Sequence, residues 1–130
     1  MKKMLSLVAL TMALAIALTV QAIDQKRPVV DVLIADVNGD LDAFLDRMER
    51  IEVVAERLGL PATLRVFRGT FAADHNGEIV VYWELPSFVA FAEAETALHE
   101  DAEFLGILAE LDAAGQGFTS ELLSIEITKR

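Results

Sequence analysis

The chain has 130 residues, with 11 basic side chains against 21 acidic ones, a formal net charge of −10 and no cysteine. So acidic a surface disfavours nucleic acid and anionic membranes as partners, because both are bound through basic patches. The absence of cysteine excludes disulfides, thiol catalysis and cysteine-ligated metals, so the fold must stand on packing alone.

Lys2 and Lys3 open the chain, an uncharged apolar run extends from Leu5 to Val20, and Val20-Gln21-Ala22 supplies small residues before a cleavage point. This is the pattern of a secretory signal peptide over residues 1–22. The apolar run is short for a membrane span, which needs ~20 residues. The expectation is a secreted or periplasmic protein whose single domain occupies residues 23–130, with no membrane attachment after cleavage. Losing Lys2 and Lys3 makes that domain still more acidic.

Val29 to Val37 is short and rich in β-branched residues, which predicts a strand, broken by Asn38-Gly39. Asp40 is placed to cap a helix whose apolar stripe runs Leu41, Phe44, Leu45, Met48, Ile51, Ala55 and Leu58, ended by Gly59 and Pro61. Ala62 to Ala72 and Ile79 to Leu85 read as two further strands. The Asn76-Gly77 step between them predicts a two-residue hairpin turn, since both of its positions favour positive φ. Pro86 stops the third strand and Ser87 caps a helical stretch from Phe88 to about Ala114. Asp101 offers a second cap within it, so a kink is expected near His99 to Asp101. Thr119 to Thr128 reads as the last strand.

The order βαββαβ is the ferredoxin-like plan, an α+β fold with a four-stranded antiparallel sheet and two helices on one face. The strands do not alternate cleanly. Val29, Val30, Val32, Leu33 and Ile34 populate both sides of the sheet, and Phe67, Phe71, Val80 and Tyr82 also need cover. An apolar sheet face of this kind marks an interface, and a second copy packed sheet to sheet, a homodimer, covers it most economically.

Glu84-Leu85-Pro86-Ser87-Phe88, closing a strand and opening a helix, resembles the join found in small dimeric α/β-barrel proteins. Leu98-His99-Glu100-Asp101-Ala102-Glu103-Phe104 is similar to their second-helix segment, with Ala102 where relatives often carry Pro. By this resemblance the chain is placed near the antibiotic-biosynthesis-monooxygenase-like and NIPSNAP-like groups. The resemblance implies a ferredoxin-like fold paired into a barrel. It also implies that a histidine near His99 reaches the pocket. The Asn/Trp/His set of the heme-degrading members is missing, so their activity is not implied.

If Asn76-Gly77 forms the hairpin turn, His75 faces Glu78, Phe71 faces Tyr82 and Gly69 faces Glu84. Arg65, Phe67, Gly69, Phe71, Val80, Tyr82 and Glu84 then share one face, and Leu64, Val66, Arg68, Thr70, Ile79, Val81 and Trp83 the other. The second set is more aliphatic and is assigned to the helices. The first would line the barrel, where Arg65, Phe67, Phe71, Tyr82 and Glu84 are the candidate ligand-binding residues for a small apolar or aromatic ligand with a polar end. Glu84 and His99 are the candidate catalytic residues. Arg65 with Glu84 reads first as a structural ion pair across the strands, and Trp83 with Arg68 as a cation–π stack at a sheet edge, ahead of their roles toward a ligand. No cofactor and no metal site are expected. His75 and His99 lie too differently to share an ion, and the calcium-loop-like Asp36 to Asp40 segment fails at Leu41 and Arg47.

Three functions follow in order. The first is an exported homodimeric α/β-barrel protein that binds a small, partly apolar ligand in the barrel interior. The second is a cofactor-independent monooxygenase-like enzyme acting on an aromatic substrate in an aromatic-lined cavity. The third is a structural oligomer with a filled barrel.

Overall fold

The computed structural model describes residues 26–70 and 77–128. The segment expected to be a signal peptide, residues 1–22, together with Phe71, His75 and Asn76, lies outside the described residues. Within them the chain runs β1 (Val29–Asp36), α1 (Leu41–Arg57), β2 (Thr63–Arg68), β3 (Ile79–Leu85), α2 (Phe88–His99), α3 (Ala102–Ala113) and β4 (Gly117–Ile125). The strands form one antiparallel sheet in the order β2-β3-β1-β4, the ferredoxin-like arrangement. Among the described residues no helix is long and apolar enough to cross a membrane.

Local chemistry sets the helix ends. Asp40 accepts a hydrogen bond from Ala43 N at 3.0 Å and Ser87 Oγ one from Ala90 N at 3.1 Å, each satisfying a first-turn donor. Asp101 does the same for Glu103 and Phe104, and this second cap makes two helices of the stretch from Phe88. The sheet is therefore covered by three helices rather than two, the expected kink being a full break. At the end of α1, Gly59 at φ +68° lets Leu60 N reach Ala55 O and Gly59 N reach Glu56 O, the Schellman closure.

The helices pack on one face of the sheet. Phe44, Met48 and Val54 of α1, Ala94 and Leu98 of α2, and Phe104, Ile107 and Leu111 of α3 meet Ile79, Val81, Trp83 and Leu85 of β3 in the main core. Leu64 and Val66 of β2 pack against it. Trp83, 6% exposed, is thus a core residue and not an edge or ligand-stacking one.

One prediction fails. Arg65 pairs with Tyr82, Phe67 with Val80 and Arg68 with Ile79, and Gly69 N donates to Glu78 O. The β2–β3 connection is therefore longer than a two-residue Asn-Gly turn, and β2 is shorter than the expected Ala62 to Ala72. The register differs from the predicted one by an even number of residues. Side chains alternate with a period of two, so an even shift keeps the paired residues Leu64 to Phe67 and Ile79 to Glu84 on their assigned faces, while Arg68, at the end of β2, borders the open-face hollow instead of the helix side.

Gln116 ties the two turns at one end of the sheet together. Its Nε2 donates to Val37 O at 2.7 Å and Asp40 O at 2.9 Å, and its Oε1 accepts from Arg47 Nη1 at 2.8 Å. Asn38 Nδ2 adds a bond to Ala114 O at 2.9 Å. Asp36 Oδ1 accepts from Asn38 N, so the calcium-loop-like segment spends its carboxylates on its own turn and on the helix cap.

Candidate site on the open sheet face

The face opposite the helices is built by residues that alternate with the core. Val30, Val32 and Ile34 of β1 pair with Glu84, Tyr82 and Val80 of β3 on one side, and with Ser124, Leu122 and Ser120 of β4 on the other. Arg65 and Phe67 of β2 complete the surface. No helix of the described residues covers it. Phe67 is 49% and Leu122 63% exposed, whereas the three β1 side chains and Val80 and Tyr82 are half-buried by one another.

Four of the five residues singled out for ligand contact therefore meet here, and the fifth, Phe71, lies outside the described residues. Phe67 stands edge-on to Tyr82, ring centroids 5.1 Å apart and planes at 89°, the arrangement favoured by ring quadrupoles. Arg65 Nη2 binds Glu84 Oε2 diagonally across the strands, both side chains partly exposed. Together with Arg68, Gly69 and Val80 these residues line an open hollow of ≈ 390 Å³. It has an aromatic wall on one side and an ion pair on the other.

His99 is not part of this arrangement. It closes α2 on the other side of the sheet, with Nδ1 2.8 Å from Glu95 O and its ring edge-on to Phe104 at 5.6 Å. The two candidate catalytic residues, Glu84 and His99, are thus separated by the sheet. Glu84 is held by Arg65, and His99 is exposed among acidic side chains.

A polar group that the sequence pattern did not single out lies beneath α2. Asp31, in the middle of β1, faces the core side and is 4% exposed. Burial first, then the charge of Glu121, a hydrogen bond to that carboxyl and the charge of Glu95, push it up to about 8. Glu95 is itself raised by burial, opposed by the charge of His99. The one local signal was a single Asp inside an otherwise apolar strand, Val29 to Ala35.

No protein-family model matches the sequence, and no curated protein matches it significantly. Solved structures do share its fold. A NIPSNAP family protein from Agrobacterium tumefaciens superposes with a TM-score of 0.57 at 17% identity, covering 82% of this chain and 90% of that one. A second NIPSNAP family protein from the same organism, of unknown function, gives 0.55 at 21% identity, covering 79% and 89%. At such identities the likeness establishes the ferredoxin-like fold. NIPSNAP-like similarity is therefore seen at the level of the fold, and both neighbours match over most of their length.

Proposed function

We propose that the protein is exported and works as a homodimer whose open sheet faces pack together and enclose a small, partly apolar ligand. The observation that carries this reading is the uncovered face. A row of half-buried aliphatic side chains from β1 and β3 continues into exposed Phe67 and Leu122, and no helix of the described residues lies over it. Apolar area left in water on this scale favours burial at ~25 cal/mol per Å². A second copy brings the same surface and is self-complementary about a two-fold axis. The Arg65–Glu84 pair at the rim of the hollow supplies the polar end of the site, and Phe67 and Tyr82 its apolar wall.

The monooxygenase-like reading needs a carboxylate free to act as base in a dry cavity. Glu84 is instead engaged by Arg65 and partly exposed, so binding is favoured over catalysis.

Native mass spectrometry of the mature protein from its own host tests the proposal. The expected result is a dimer mass with a retained small molecule, beginning after Ala22. An unliganded monomer sinks it, and a dimer that retains nothing leaves only the structural oligomer.

A further inference from the structure

Asp31 is enclosed by three elements besides its own. Trp83 of β3 and Leu123 of β4 flank it in register. Glu121, on the same face of β4, brings its carboxyl within hydrogen-bonding reach. From α2, Glu95 adds a further negative charge, with His99 Nδ1 3.7 Å from its Oε2. Among the described residues no cation pairs with Asp31. Its Oδ1 has no hydrogen-bond partner, and neither does the buried indole N–H of Trp83. Two carboxyls in hydrogen-bonding contact are both acceptors when ionised, so contact without an intervening cation requires a proton between them.

We propose that Asp31 keeps its proton at neutral pH and donates it to the Glu121 carboxyl, and that this hydrogen bond fastens the edge strand β4 and helix α2 over β1, releasing them in mildly alkaline solution. The asymmetry of the pair makes it a switch. Glu121 is exposed and can turn into water when the proton leaves. Asp31 cannot, because β1 is an inner strand with β3 and β4 on either side. Its new charge, facing the carboxylates of Glu121 and Glu95, is relieved only when the layer above it opens. β4 is the element free to yield, since a single neighbour, β1, holds it in the sheet. The same strand carries Leu122 onto the open face, so its loosening alters that surface as well.

Carbon-detected NMR titration of the carboxyl groups, together with amide hydrogen exchange along β4, tests this on the whole protein. Over a range from about pH 6 to about pH 9, Asp31 is expected to titrate far above ordinary carboxylates. The β4 amides are expected to lose roughly tenfold in protection beyond the intrinsic rise in exchange. Asp31→Asn is expected to hold that protection level. Glu121→Gln alters an exposed side chain and so keeps the fold intact; it is expected to lower the Asp31 midpoint. An Asp31 carboxyl that titrates in the ordinary range overturns the proposal. So does an unmoved midpoint in Glu121→Gln, or a β4 that loosens in Asp31→Asn as it does in the parent.

Discussion

Arg65 and Glu84 lie diagonally across β2 and β3, and what their contact contributes depends on what surrounds it. Both side chains are a third or more exposed, so water and salt screen the pair and it adds little to stability. However, the guanidinium lines the same hollow as Phe67 and Tyr82, so it is a charged group set beside an apolar wall. Arg65→Ala is therefore expected to lower unfolding free energy by less than about 1 kcal/mol. Under the proposed function it should nonetheless weaken binding of any small molecule retained by the native protein by tenfold or more. Calorimetric titration of parent and variant with that molecule, beside their thermal melts, checks both halves. Equal affinity would remove Arg65 from the site.

Among the elements, the break between α2 and α3 shows how one side chain organises a layer. Asp101 accepts from the first amides of α3, and its other oxygen takes Arg57 Nη2 of α1 at 2.8 Å. Those backbone bonds, then Arg57, hold its carboxyl below the usual carboxylate range. Losing a helix cap costs about 1 kcal/mol. Asp101→Ala is expected to destabilise by that amount or somewhat more. Glu103→Ala, which touches the same Arg57 at 3.3 Å from an exposed position, is expected to change stability by a few tenths at most. Urea unfolding of the two variants side by side measures the difference. The cap was legible in the sequence because an acid three residues before Phe104 is a local signal. The β2–β3 register was not, because Asn-Gly marks a turn without dictating where the strands stop pairing. Apart from Arg68, the face assignment survived that error because only the parity of the register matters to it.

Over the whole molecule, pH divides the carboxylates into two groups with opposite signs. Asp31 is raised from 3.8 to about 8, so its contribution is full below about pH 4 and is lost as pH rises through 8. Glu95 is displaced in the same direction. Asp101 and Glu110, lowered by hydrogen bonds and Arg partners, contribute above the ordinary carboxylate range and lose that contribution in acid. They sit on surface pairs and carry less weight than the buried group. Stability is thus expected to fall between about pH 6 and about pH 8 by roughly 2 kcal/mol, since a proton held by the folded chain alone is worth about 1.4 kcal/mol for each step of one in pH. Asp31→Asn should flatten that slope. Thermal melts of both proteins across the range decide it, and a parent melting temperature that is level or rising would contradict the burial of an ionisable Asp31.

The sequence by itself determined the order of the four strands and where the helical stretches lie between them, the helix caps at Asp40, Ser87 and Asp101, and which of the paired β2 and β3 side chains share a face of the sheet. These depend on contacts within a few residues or on the two-residue period of a strand. Only the tertiary structure decided how far β2 pairs with β3, that Glu84 and His99 lie on opposite sides of the sheet, and that Asp31 meets Glu121. Each of those depends on segments far apart in the chain, and no local pattern records which of them fold against one another.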